Sequence, residues 1–147
     1  EVLPGDWDLR WQQFSPDGKW IAFQSYATGR NEVHIHAPFS PPSMGKPSKI
    51  LSIDGGAWVR WGGDGKELFY AALDGTLMSI PLEFDANGKD FTAGTPVALF
   101  KAPMAGGPNN NSLAQQYMVS KDGQRFLVIA APAVESPIKV IRNWKPQ

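Results

Sequence analysis

The 147-residue sequence contains no cysteine, so it forms no disulfide, offers no thiolate nucleophile and cannot hold zinc through sulfur. It carries no surplus charge either. Fourteen Lys and Arg balance fourteen Asp and Glu without a block of one sign, so no long-range field draws in a phosphate backbone or an anionic lipid, and neither nucleic acid nor membrane is an expected partner. No apolar run approaches the ~18 residues of a spanning helix. Long helical patterns are missing as well, because 13 Pro and 15 Gly punctuate the chain too often for an extended 3.6-residue period. There is no Gly-x-Ser-x-Gly elbow, so serine hydrolase chemistry would have to come from a partner domain, and no phosphate-binding Gly-x-x-x-x-Gly-Lys-Ser/Thr loop. No leader segment is visible and the first residue is Glu1 rather than Met, which leads us to expect a processed or excised piece.

What the sequence does contain is one short phrase, three times. Trp11-Gln12-Gln13-Phe14-Ser15-Pro16-Asp17-Gly18-Lys19, Arg60-Trp61-Gly62-Gly63-Asp64-Gly65-Lys66 and Gln116-Tyr117-Met118-Val119-Ser120-Lys121-Asp122-Gly123-Gln124 share a β-prone lead, an Asp-Gly pair and an apolar sequel. Asp17-Gly18, Asp64-Gly65 and Asp122-Gly123 are expected to be hairpin turns, with Asp bonding nearby backbone and Gly at positive φ. A turn-forming job repeated in every unit is the better reading of Asp17, Asp64 and Asp122 than three copies of a catalytic acid. The pairs lie 47 and 58 residues apart, the spacing of propeller blades and solenoid units or just beyond it.

Each turn is followed by an apolar run: Ile21-Ala22-Phe23, Leu68-Phe69-Tyr70 and Phe126-Leu127-Val128-Ile129. A short continuous apolar run bounded by turns suits a strand covered on both faces, as in a propeller blade sandwiched between neighbours. Further β runs follow at Glu32 to His36, Thr76 to Ile80 and Ile138 to Arg142, with outer ones at Lys49 to Ile53 and Pro96 to Phe100. The expected fold is all-β, about three four-stranded antiparallel blades in one half-propeller domain over 1–147. Its parts are a lead-in over 1–13, blade one over 14–54, blade two over 55–101, and a loop with blade three over 102–147. Residues 1–4 are expected to supply an outermost strand, and 37–47, 85–94 and 101–113 to be loops.

These words resemble the TolB-type, WD-repeat-like β-propeller repeats of bacteria, carried by Phe14-Ser15-Pro16-Asp17-Gly18-Lys19-Trp20-Ile21-Ala22-Phe23, by Trp61-Gly62-Gly63-Asp64-Gly65-Lys66-Glu67-Leu68-Phe69-Tyr70 and by Ser120-Lys121-Asp122-Gly123-Gln124-Arg125-Phe126-Leu127. The second phrase departs from the pattern with Gly62-Gly63 in place of Ser-Pro, and the third with Lys121 in place of Pro. The tail from Ser136 to Trp144 is similar to the end of propellers attached to bacterial serine/threonine protein kinases. The resemblance implies the C-terminal half of a propeller, an extracytoplasmic location, no cofactor, and a non-catalytic sensor or scaffold that binds a protein, peptide or small ligand. The alternative is the propeller portion of a hydrolase, or a metal-dependent propeller lyase or lactonase fragment.

The chemistry candidates are sparse. His34 and His36 share one face of a strand and are the only metal candidates, without an identifiable third ligand. Asp85-Ala86-Asn87-Gly88-Lys89-Asp90 bunches oxygen ligands around Gly but lacks the downstream bidentate Glu of a calcium loop, so a hairpin turn is expected. Trp11, Trp58 and Trp61 are read as blade core, whereas Trp7, Trp20 and Trp144 are candidates for exposure and ligand contact. A three-blade piece leaves an apolar sheet face bare at each end, so a homodimer closing a six-bladed ring is expected.

Overall fold

The computed structural model describes residues 9–37, 48–105, 107–108, 115–133 and 136–141, the side chains of 131–133 and 136–141 excepted. The expected strand at 1–4, most of the 37–47 segment, part of the 101–113 segment, Trp7 and Trp144 lie outside them. The described residues form twelve strands and no helix. The first sheet has the order β1-β2-β3-β4, with β1 Leu9–Phe14, β2 Ile21–Ser25, β3 Glu32–His36 and β4 Lys49–Ile50. The second runs β5-β6-β7-β8 through β5 Ala57–Trp61, β6 Glu67–Ala71, β7 Thr76–Phe84 and β8 Phe91–Ala93, and β9 Val97–Lys101 also pairs β7. In the third, β10 Tyr117–Val119, β11 Phe126–Ala133 and β12 Ser136–Ile141 follow in order. All pairings are antiparallel. The architecture is that of a β-propeller fragment with three blades.

The repeated phrase forms the same turn each time. In blade one Gly18 N–H donates to Ser15 O (2.8 Å), Lys19 N–H to Asp17 Oδ1 (3.1 Å), and the Ser15 hydroxyl to Asp17 Oδ1 (2.6 Å) while accepting from Trp20 N–H (2.9 Å). Blade three repeats this with Ser120, Asp122, Gly123, Gln124 and Arg125. Blade two, with Gly62 where the others have Ser, keeps only the backbone bonds and Lys66 N–H to Asp64 Oδ1 (2.9 Å). The serine hydroxyls hold the carboxyls of Asp17 and Asp122 below the ordinary carboxylate value. Asp74-Gly75, between β6 and β7, makes a further turn of this kind, closed by Thr76 through its N–H and hydroxyl.

The segment 85–94 is more than a loop. β7 runs on to Phe84, Asp85 Oδ1 accepts from Lys89 N–H (2.6 Å), Gly88 takes φ +63°, and β8 returns against β7, giving blade two a fifth strand. Phe91 has a reason to fold back: its ring and that of Phe84 pack against Trp20 of blade one, at 5.0 and 5.5 Å between centroids. Trp20 is therefore 4% exposed, contrary to the expectation of an exposed indole.

Two apolar seams join the blades. The first contains Ala22, Val33 and Ile35 of blade one against Val59, Leu68, Tyr70 and Ile80 of blade two. The second contains Trp58, Phe69 and Leu77 of blade two against Tyr117, Phe126 and Val128 of blade three, with Ala102 and Met104 of the connecting segment. Each buried large side chain contributes roughly 1.5–3 kcal/mol. Alternate residues of β6 serve the two seams, which is why its run is apolar throughout. In β11 the alternation reappears: Phe126 and Val128 are buried, whereas Leu127 and Ile129, and Met118 beside Leu127, are 44%, 50% and 61% exposed. The bare face expected at both ends is found on blade three, whereas on blade one it is reduced to Phe14 and Ile50, opposite Ile21 and His34, which stay 60% and 48% exposed. On blade one Ile21, Phe23, His34 and His36 are buried, Phe23 lying flat on the His34 ring at 5.2 Å.

The turns also touch one another across the seams. A Cβ on Gly63 would lie 2.2 Å from Lys121 O, and one on Gly65 3.4 Å from Pro16 Cδ. Gly65→Ala is expected to cost about 1–2 kcal/mol through its φ of +74° alone. Gly63→Ala, at ordinary φ, should cost more, roughly 2–3 kcal/mol, because backbone must move. Thermal or urea unfolding of the two variants checks this, and a milder Gly63→Ala would contradict the packing of turn on turn.

Candidate functional site

The first strands of the three blades, β1, β5 and β10, lie side by side and form the inner edge of the fan. Two of them begin abnormally. Trp11 and Trp58, equivalent by the repeat, have φ of +60° and +57°, and the ladders slip between Arg10 and Gln13 and between Ala57 and Arg60. A left-handed bulky residue is strained by about 1–2 kcal/mol and persists only where its surroundings hold it. For Trp58 the holders are visible. Its N–H donates to Gln24 Oε1 of blade one (3.1 Å), and its carbonyl and that of Val59 accept from Gln115 Nε2 (3.3 Å each). Gln24 is fixed in turn by Asn31 Oδ1 (2.8 Å), and the indole is sealed in the second seam.

The slip sets the direction of the residues after it. Arg60 pairs directly with Phe69 across the ladder and so shares its face, the one turned to blade three. There it meets Tyr117, a fully buried phenol. Among the described residues no hydrogen bond or ion pair reaches the Arg60 guanidinium: Nε is sealed without a partner, and the terminal nitrogens remain open. Burial depresses its pKa and Tyr117 counteracts this, yet the guanidinium stays charged. Burial also raises the Tyr117 phenol well above its ordinary range, opposed by the charge of Arg60, so it stays neutral, and its hydroxyl has no partner among the described residues.

His34 and His36 do lie on one face, but each is engaged within blade one. His34 Nδ1 pairs with Ser48 Oγ (2.9 Å), and His36 Nδ1 with Ala37 O (2.5 Å). Among the described residues no three His, Cys, Asp or Glu side chains come together as a metal would require. Nearby, Glu32 is buried against Arg30 Nε (2.5 Å) and the Ser52 hydroxyl. A cleft of about 270 Å³ opens between blades one and two, lined by Trp20, Ser48, Lys49, Lys89, Asp90 and Phe91 among others. Its Lys49 is answered by Asp90 (3.3 Å) and the Phe91 ring (4.5 Å). Sequence reasoning missed Arg60 as a site residue, and also this cleft. The one signal for Arg60 was a cation inside an apolar inner strand.

Neither a family model nor a curated protein sequence matches the chain. Solved structures do. A 6-phosphogluconolactonase-like protein from Bacteroides fragilis is 16% identical with a TM-score of 0.54, over 88% of this chain and 33% of its own. An oligogalacturonate lyase from Vibrio parahaemolyticus is 16% identical with a TM-score of 0.50, over 97% of this chain and 33% of its own. Both are propeller-type folds, and the chain spans about a third of either. The likeness establishes the fold.

Two outcomes test this geometry. Gln24→Ala leaves the Trp58 N–H buried without a partner and is expected to destabilise by about 1–3 kcal/mol, measured by chemical unfolding. For His34, desolvation lowers the pKa from 6.5, and Glu32 offsets it only in part. The unfolded chain therefore takes up a proton that native His34 resists, so stability is full above pH 6.5 and falls as pH drops from 6.5 towards the native pKa. His34→Met, the residue at the matching register of blade two, should flatten that slope, as followed by unfolding across pH 5–7.

Proposed function

We propose that the chain is the propeller portion of a lactonase- or lyase-type enzyme, its three blades supplying one wall of a ligand channel, in preference to a free-standing binding module. The observation that carries this reading is Arg60, a sheltered cation on an inner strand whose terminal nitrogens have no partner among the described residues. The similar solved proteins add support, since 6-phosphogluconolactone and oligogalacturonate are sugar derivatives bearing phosphate or carboxylate groups. In this reading the blades bind and orient, and the acid, base or metal ligands come from elsewhere in the completed ring. The TolB-type character of the repeat words is part of the same proposal, as the kind of repeat from which the ring is built.

Association with a second copy through blade three accompanies it. The bare face of blade three, with Met118, Leu127 and Ile129, is an apolar surface of the sort another blade covers. Light scattering is expected to give twice the 16.1 kDa chain mass, and Leu127→Lys should return the protein to a monomer. A monomer at high concentration would leave completion to other blades of a longer protein. In the completed assembly, turnover of a sugar lactone or a uronate oligomer is the expected activity. Binding of such compounds without turnover would favour the module that only binds.

A further inference from the structure

We propose that the open end of the Arg60 guanidinium, at the inner edge of the seam between blades two and three, anchors an oxyanion of a small acidic ligand, a carboxylate or a phosphate. The Nε of Arg60 is buried in the wall, with no protein acceptor there and none at the terminal nitrogens among the described residues. A guanidinium partly desolvated in this way gains from an anion placed at its open end. Tyr117, buried and neutral beside it, supplies no counter-charge and keeps the surroundings poor in water, which strengthens any electrostatic contact made there. The fork of two terminal N–H groups matches two oxygens of a carboxylate or phosphate. Blade three supplies the internal comparison: the repeat position of Arg60 is Met118, and the strand pairing there is kept, Met118 opposite Leu127 as Arg60 is opposite Phe69. The fold therefore accepts an uncharged side chain at this position, and the cation of blade two is not demanded by the architecture.

The choice of sugar acids as ligands rests on the proposed function, whereas the oxyanion site does not. The test uses the whole 147-residue chain, observing the Arg60 Nε–H resonance and the melting temperature during titration with acetate, inorganic phosphate, galacturonate and 6-phosphogluconate, with sodium chloride at matched ionic strength as control. A saturable shift with the oxyanions and none with chloride is expected. Arg60→Met should weaken oxyanion-dependent stabilisation by at least about tenfold in apparent affinity without lowering the melting temperature of the free protein, and Arg60→Lys should recover part of it. If no oxyanion shifts the resonance, or chloride does so equally, the site is overturned. A lowered melting temperature in Arg60→Met, with no oxyanion response in the parent, would mark Arg60 as structural and overturn it too. If acetate and phosphate bind and the sugar acids bind no better, the site stands and the proposed function falls.

Discussion

Where two blades of this protein face each other, each covers the apolar sheet face of its neighbour, and blade two is covered in this way on both sides. That constraint explains the uniformly apolar β6, whose Leu68 and Tyr70 pack on blade one while Phe69 and Ala71 pack on blade three. It also explains why the alternation returns in β11, where only one neighbour is present. Stability is thus held in the seams between sheets rather than within any one of them, since antiparallel sheets with no covering layer have little apolar surface to bury.

The seams also determine what the inner edge looks like. Left-handed Trp58 is strained locally, but its N–H and C=O are satisfied from two different blades, Gln24 on one side and Gln115 on the other. The kink is therefore a property of three blades together. Its consequence is local and chemical, because the slipped ladder turns Arg60 into the seam beside Tyr117 without a compensating carboxylate among the described residues. An uncompensated guanidinium beside a neutral phenol is a feature that packing alone does not favour.

The turns and the strand order were readable in advance because both are encoded locally. Asp17, Asp64 and Asp122 each accept a bond from the backbone N–H two residues on, within a few residues of chain. The hairpin at Asp85 to Asp90 was legible for the same reason, but the strand β8 that follows was not, since Phe91 folds back to meet Trp20, distant in sequence. Trp20 was misread as exposed by the same omission. The buried face of blade one was also unreadable, because cover is decided by what lies opposite.

By itself the sequence determined an all-β chain of repeated hairpins without cysteine chemistry or charge bias, because turn-forming Asp-Gly pairs and the composition act over a few residues or over none at all. Only the tertiary structure decided that Trp58 is left-handed, that Arg60 stands without a partner among the described residues, and that the outer face of blade one is buried at its centre while that of blade three is bare. Those properties depend on side chains contributed by separate blades, whose spacing along the chain carries no record of which groups will meet.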